Sequence, residues 1–398
     1  MMKIMQINST YGMGSTGKIC KDISEMLSEN DIENYALYTV GKSDAPNAIK
    51  CSHAAYTKAQ ALKSRICGNY GFNSALATKK MIRELEIIKP DIVHLHNIHS
   101  HDCNLEMLFA YFKKYNHKIV WTFHDCWAFT AYCPHFTMIH CEKWKTSCKN
   151  CPAYPEYSFV FDRSEQLFQK KRTLFAGLDL TIITPSQWLA NLVKQSFLKD
   201  YPIEVINNGI DFSVFKPSAS YFREKHGILN DQKVLLGVAF GWGEKKGLDV
   251  FAELANRLNP NQYRIVLTGT DDLIDKQLPD NIISIHRTQN QQELAEIYSM
   301  ADFFINPTRE EVLGLVNLEA LACGTPVITF NTGGSPEIID ENCGSIVDVD
   351  NIDALVNEII YVCEKRPYST ENCISRAKLF DKNKQYKEYL KLYQRVIL

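Results

Sequence analysis

The chain has 398 residues, enough for two domains of ordinary size, each with its own core. Its 44 Lys and Arg against 46 Asp and Glu leave a net charge of −2, so no basic excess argues for nucleic acid. The apolar stretch at Met1–Asn8 is too short for a signal peptide, and no apolar run is long enough to span a membrane. Thirteen cysteines in such a chain are expected as reduced thiols or metal ligands, and the protein as soluble and cytoplasmic.

Lys3 to Asn8 reads as a first strand running into Tyr11-Gly-Met-Gly-Ser-Thr-Gly-Lys18 and a helix to about Ser28. Gly12, Gly14 and Gly17 make G-x-G-x-x-G, and Gly12 to Lys18 makes G-x-x-x-x-G-K; both loops cradle phosphate at a strand-to-helix turn. Each match is incomplete. Ile19 stands where a P-loop needs Ser or Thr for magnesium. The acid that a dinucleotide site wants at the end of the second strand, Tyr35 to Val40, is missing: Asp31 and Glu33 precede it and Asp44 follows it. An NTP-dependent enzyme using the Lys18 loop stays open as an alternative.

Residues 54 to 86 look helical and carry Lys58, Lys63, Arg65, Lys79, Lys80 and Arg83 with Tyr70 and Phe72. Such a face suits either water or anionic headgroups on the inner side of the plasma membrane. Two strands follow, ending at His94-Leu-His96 and at His124-Asp125. Ligands of open α/β sheets bind at the carboxyl ends of parallel strands, so His124 and Asp125 are candidate site residues. An irregular insertion, about 126–155, holds Cys133, Cys141, Cys148 and Cys151. These four either form a structural zinc site or are loose reduced thiols in a lid over the acceptor.

A helix from Gln166, a strand to Thr184 and a polar stretch around Asn208-Gly209 lead to a hinge. The second half opens with Lys233 to Phe240, a strand followed by Gly241-Trp-Gly-Glu-Lys-Lys-Gly247 and a helix. This is again a phosphate-facing loop, with Lys245 and Lys246 in it. Thr268 ends the next strand, and Arg287 follows the one after. Strands and helices alternate throughout, as doubly wound parallel sheets require.

The densest signal is Glu311 to Pro326, EVLGLVNLEALACGTP, between strands Ala301–Pro307 and Pro326–Phe330. Leu315, Leu318, Leu321 and Ala322 repeat at helix spacing, and Gly324 with Pro326 stops the helix. The helix start at Gly314, Leu315 and Val316 suits an anion, most simply phosphate. Glu311 and Glu319 are eight residues apart, roughly 12 Å at helical rise. Carboxylates sharing one glycosidic bond sit about 5 to 9.5 Å apart, so this pair fits two ends of one long ligand, such as a nucleotide-sugar.

Glu311 to Glu319 followed by Ala-Leu-Ala-Cys-Gly-Thr-Pro resembles the E-x7-E signature of retaining glycosyltransferases of family 4, of the bacterial polysaccharide type. Val312-Leu313 departs from the usual Gly-Phe, and Gly241 stands where the family has an arginine, with Lys245 as its substitute. The resemblance implies the GT-B fold: two Rossmann-like doubly wound domains, 1–205 and 206–380, facing each other across a cleft. A last helix, 381–398, would cross back onto the first domain, making its stripe of Tyr386, Tyr389, Leu390 and Tyr393 packing rather than a ligand site. It implies a nucleoside-diphosphate sugar donor held by Gly14, Lys245, Thr268, Arg287, Gly314, Leu315, Val316 and Glu319. Glu311, His124, Asp125 and Lys246 would serve the transfer to a glycan or lipid-linked acceptor, with no cofactor for the chemistry. A GT-B protein that only binds sugar is the remaining alternative, against which the intact Glu311 and Glu319 argue.

Overall fold

Short runs rich in Ile, Val, Leu and Phe, apolar on both faces, dictate strands that must be covered on each side. In the computed structural model, which describes residues 2–99 and 101–397, they form two wholly parallel sheets. The chain divides into two compact units, Met1–Asn207 with Gln385–Leu398, and Asn208–Lys384.

The first unit contains β1 (Lys3–Ile7), β2 (Glu33–Tyr38), β3 (Ala48–Lys50), β4 (Ile92–Leu95), β5 (Lys118–Thr122), β6 (Asp179–Thr184) and β7 (Ile203–Val205). Their order across the sheet is β3-β2-β1-β4-β5-β6-β7. The order reverses between β1 and β4, so the loops after those strands open at a topological switch point. Glu33 is the first residue of β2 rather than preceding it, which leaves it at the wrong end of the strand for a ribose. Residues 54 to 86 are two helices, Ala54–Cys67 and Ala75–Ile88. Gly68 ends the first with φ +66°, where a Cβ would stand 2.8 Å from the Phe161 carbonyl oxygen.

The last helix, Lys382–Ile397, packs Tyr386, Tyr389, Leu392 and Tyr393 against Ile4, Ile23, Ile92 and Val120 of this unit. Each such buried ring contributes about 1.5–3 kcal/mol. Packing is only part of its role. The Tyr393 hydroxyl lies 2.7 Å from His94 Nδ1, and the Tyr389 hydroxyl lies 3.1 Å from Thr122 Oγ1. The phenols thus satisfy buried polar groups under β4 and β5.

The second unit contains β8 (Lys233–Val238), β9 (Tyr263–Thr268), β10 (Ile282–Ile285), β11 (Phe303–Asn306), β12 (Val327–Phe330) and β13 (Gly344–Val347), in the order β10-β9-β8-β11-β12-β13. Alternation along β8 sends Val234 and Leu236 into one core and Leu235 into another, each under its own layer of helices. The switch point lies between β8 and β11. The loops after these two strands carry Lys245, Lys246 and Glu311.

Candidate functional site

In the second unit, β8 runs into a turn and a short 3₁₀ segment, Glu244–Lys246, closed by Gly247 at φ +74°. A Cβ on Gly247 would stand 2.5 Å from the Pro307 carbonyl oxygen, so the turn lies tight against the end of β11. That closeness pairs the two loops. Lys246 Nζ reaches Glu311 Oε2 at 3.0 Å, and Lys245 Nζ reaches Glu310 Oε2 at 2.7 Å. Arg309 clamps the same junction: its backbone N–H donates to the Lys245 carbonyl at 2.9 Å, and its guanidinium grips Asp249 at 2.6 and 2.9 Å. Those carboxylates, with Asp350, push the Arg309 pKa upward still further.

Gly314 sits at φ +89° and starts the helix Leu315–Ala322. The first-turn amides, those of Leu315 and Val316 included, have no acceptor within their own helix. Two further groups crowd the place where a Gly314 Cβ would stand: Asn317 Nδ2 at 3.2 Å and Ser335 Oγ at 3.3 Å. Both atoms are buried without a hydrogen-bond partner. Donors left unsatisfied beside a helix start are what an anion would complete. Helix periodicity did not single out Asn317 or Ser335; the glycine-rich Thr332-Gly-Gly-Ser335 loop was the available signal. One turn on, Glu319 Oε2 accepts from the Tyr298 hydroxyl at 3.0 Å. Burial and that carboxylate raise the Tyr298 pKa well above its ordinary value, so the phenol stays a donor.

Thr268 is buried, and its hydroxyl, like Asn317 Nδ2 and Ser335 Oγ, has no hydrogen-bond partner. The Thr268 carbonyl accepts from Trp242 Nε1 at 3.1 Å. Lys245 is paired with the buried Glu310 as Lys246 is with Glu311. Arg287 remains exposed after β10, its guanidinium 5.9 Å from the ring of Phe240, itself 95% exposed.

In the first unit, Gly14 opens the helix Gly14–Glu29 at φ +66°, and the Gly12 N–H closes the loop on the Gly17 carbonyl at 2.8 Å. Lys18 lies exposed on that helix. His96 and His124 stack, their Nδ1 and Nε2 atoms 3.1 Å apart. His96 Nε2 stands 2.9 Å from Gln6 Oε1, while the Gln6 amide donates to the Cys20 carbonyl and Ser24 Oγ. Gln6 Oε1 therefore accepts, His96 carries its proton on Nε2, and His124 donates to His96 through Nε2. The remaining nitrogen, His124 Nδ1, is left as an acceptor. Burial pushes the His124 pKa down to about 4, which keeps the ring neutral.

Asp125 is held 3.2 Å from His99 and accepts from the Trp127 N–H at 2.8 Å. Burial alone would raise its pKa; His99 and the amide outweigh that and lower it, making a carboxylate of weak basicity. Sequence reasoning missed Lys171, fully buried under this loop. Its ammonium donates to the carbonyls of Trp127, Thr130 and Ala131 at 2.7, 3.0 and 3.3 Å and so fixes the chain after Asp125.

Cys133, Cys141, Cys148 and Cys151 line one small cavity, and the thiols of Cys133 and Cys151 are hydrogen-bonded. Among the described residues, the trio of potential metal donors whose ligand atoms lie within 4.8 Å of one another is Asp272, Asp275 and His286. The thiol of Cys133 also lies within electrostatic reach of Cys141 and Cys148.

The buried histidines make stability depend on acid. Burial pushes His94 down to about 3 and His96 well below the usual range. Their folded pKa values lie below the unfolded 6.5, so between these limits the unfolded chain binds more protons. Stability from this source is complete above about pH 6.5 and is lost as pH falls toward the folded values. The expected loss is ~1.4 kcal/mol per pH unit for each ring. Denaturant titrations from pH 7 to 5 on wild type and His94→Gln check it; equal acid slopes in both would refute the assignment.

Residues 52–214 match the Glycosyltransferase Family 4 domain, and residues 220–380 match Glycosyl transferases group 1. Over 381 residues the chain is 26% identical to a protein of Escherichia coli K12 named as a colanic acid biosynthesis glycosyl transferase, WcaC, covering 89% of each. In solved structures, sucrose-phosphate synthase of Thermosynechococcus elongatus superposes with a TM-score of 0.72 at 16% identity, covering 100% of this chain and 99% of that one. Anabaena Alr3699/HepE, in complex with UDP-glucose, gives 0.69 at 16% identity, covering 98% and 100%. At such identities the structural likeness speaks for the fold. No helix among the described residues is long and apolar enough to cross a membrane.

Proposed function

We propose that this chain, which belongs to the GT-B glycosyltransferases through both its Family 4 half and its group 1 half, transfers a sugar from a nucleoside-diphosphate sugar to a glycan or lipid-linked acceptor in cell-surface polysaccharide assembly. The observation that carries the reading is the Lys246–Glu311 pair at the switch point of the second sheet, beside the helix start at Gly314. A cation, helix amides and a carboxylate meet there in the arrangement a diphosphate joined to a sugar requires. The neighbour that holds UDP-glucose and the relative named for colanic acid biosynthesis support the same donor class and process.

In this reading Glu319, oriented by Tyr298, accepts from the ribose hydroxyls, and Glu311 accepts from hydroxyls of the transferred sugar. Lys246 and the amides at Gly314, Leu315 and Val316 stabilise charge as it builds on the departing diphosphate. His124 Nδ1 accepts from a sugar hydroxyl. Asp125, fixed by His99 and the Trp127 amide, stands beside His124 on the acceptor side. The bond from the anomeric carbon to the phosphate oxygen breaks while the bond to the acceptor oxygen forms on the same face. The proton passes to the leaving phosphate, and configuration is retained. Because Lys246 and the helix start supply the positive charge, the chemistry requires no divalent ion.

Calorimetry against a panel of nucleotides and nucleotide-sugars, with EDTA and with magnesium, tests this. The expected result is binding of one nucleoside diphosphate or its sugar that is indifferent to EDTA. Glu319→Ala should weaken it by about ten-fold or more, as loss of charge-assisted hydrogen bonds predicts. Magnesium-dependent binding of ATP or GTP, abolished by Lys18→Ala, would replace this reading with the glycine-loop alternative.

A further inference from the structure

We propose that Lys171 is the buried counter-charge of a structural zinc centre made by Cys133, Cys141, Cys148 and Cys151, and that the two together fasten the loop after Asp125. The spacing of the cysteines leaves zinc and loose thiols equally open; the charge beneath them separates the two. Lys171 is fully buried. Its ammonium is met by three carbonyls and stands 3.2 Å from the centre of the Trp127 ring. Carbonyls and a ring solvate a cation without neutralising it, and a buried charge calls for an opposite one. The acidic groups that act on it most are Cys148, Asp125 and Cys133, in that order. Asp125 is already committed to His99 and to the Trp127 amide. The thiols are the remaining source of negative charge. Neutral thiols supply none, whereas four thiolates around Zn²⁺ leave a net charge of about −2.

The four cysteines line one cavity of about 20 Å³, room for a single ion. Cys141 and Cys151 each follow a residue in the left-handed region, His140 at φ +46° and Asn150 at φ +48°, so a tight turn delivers both. Phe136 and Trp144, stacked with ring centres 5.0 Å apart, share the cavity wall. No three of the sulfurs lie within 4.8 Å of one another, and zinc at ~2.3 Å from each would set them about 3.8 Å apart. From Cys133 to Cys151 the chain holds one short 3₁₀ turn, Lys143–Lys145, so no helix or strand has to break for the sulfurs to draw in. Binding releases the thiol protons to solvent.

Two residues join the centre to the lysine. The Ala131 N–H faces the Cys148 sulfur, and the Ala131 carbonyl accepts from Lys171 at 3.3 Å. The Thr130 hydroxyl donates to the Cys133 carbonyl at 2.7 Å, while its own carbonyl accepts from Lys171 at 3.0 Å. With every zinc position taken by sulfur, the centre is structural and leaves no place for substrate. It lies in the first unit and does not depend on the donor reading.

Metal analysis of the full chain, purified without chelator, tests the proposal without any activity measurement. About one zinc per chain is expected. The double variant Cys148→Ser, Cys151→Ser should hold less than about a tenth of that, while Cys67→Ser, outside the cavity, should keep it. In wild type, stripping the metal should make Cys133, Cys141, Cys148 and Cys151 reactive to a thiol reagent, a readout that needs no variant to fold. It should also lower Tm. That drop is expected to be smaller in Lys171→Met, whose zinc affinity should fall by about ten-fold or more. Each protein is compared with its own metal-free form, so a folding defect in Lys171→Met does not mask the result. Calorimetric affinity for nucleotide should survive stripping, which separates failure here from failure of the donor site. A metal-free chain with these thiols reactive, a disulfide between any two of them, iron in place of zinc, or zinc retained by the double variant would overturn the centre. Equal zinc affinity in wild type and Lys171→Met would overturn the counter-charge.

Discussion

Lys246→Ala is expected to lower kcat by about 10²–10³ while changing KM far less. Its ammonium is placed to meet charge that appears on the diphosphate only as the glycosidic bond breaks, and one such donor contributes ~2.7–4 kcal/mol to the barrier. The neighbouring Lys245→Ala provides the contrast. Lys245 is held by Glu310, whose side chain is only 8% exposed, so its removal takes a cation from a buried carboxylate. The cost is expected in stability, between the ~1 kcal/mol of an exposed pair and the ~3 kcal/mol of a buried one. Steady-state kinetics and thermal melts on both variants check the division. If Lys246→Ala raised KM alone, the lysine would bind ground and transition states equally, and the assigned role would be wrong.

Gly333→Ala is expected to impair both folding and transfer. Gly333 has φ +57°, and a Cβ there would lie 1.6 Å from the backbone carbonyl oxygen of Glu311. No rotamer relieves a clash between two backbones, so the 332–335 loop or Glu311 must move. Left-handed strain costs ~1–2 kcal/mol and overpacking ~1–3 kcal/mol, so a loss of about 2–5 kcal/mol is expected. A carboxylate displaced by about 1 Å costs about 10² in kcat/KM. Gly227→Ala is the control: φ is +63° with nothing within 4 Å of the added carbon. It should lose the strain energy alone and leave kcat/KM unchanged. A Gly333→Ala enzyme with wild-type kcat/KM would show that Glu311 is not held to its task by this contact.

Much of the second unit was legible because its signals are local. Gly314 must start the helix Leu315–Ala322 because it alone tolerates φ +89° there, and Cys323-Gly324 must end it. Strand edges were found within a residue or two, since apolar runs bounded by Pro, Gly or Asn define them. Legibility failed where neighbours along the chain do not set the outcome. Residues 54 to 86 read as helical with no break marked, and the structure interrupts them at Gly68, where φ is +66° and the Phe161 carbonyl oxygen comes close. Thr268 reads as a polar strand end, and that its carbonyl meets the Trp242 indole is decided by tertiary packing. The spacing of four cysteines was compatible with zinc, but that all four line one cavity is a matter of tertiary packing.

By itself the sequence determined two alternating α/β halves, glycine-bearing loops after the first strand of each, and two glutamates at the mouth of one helix. Turn chemistry and residue period act over a few positions, so these features needed no knowledge of partners. Only the tertiary structure decided which charge meets which. Lys246 finds Glu311 because β8 lies beside β11, not beside β12. Tyr298 finds Glu319 across two packed helices, and His124 finds His96 because β4 and β5 are neighbours. Strand order is set by which apolar faces the crossover helices cover, and that is a property of the whole unit, written in no single stretch of it.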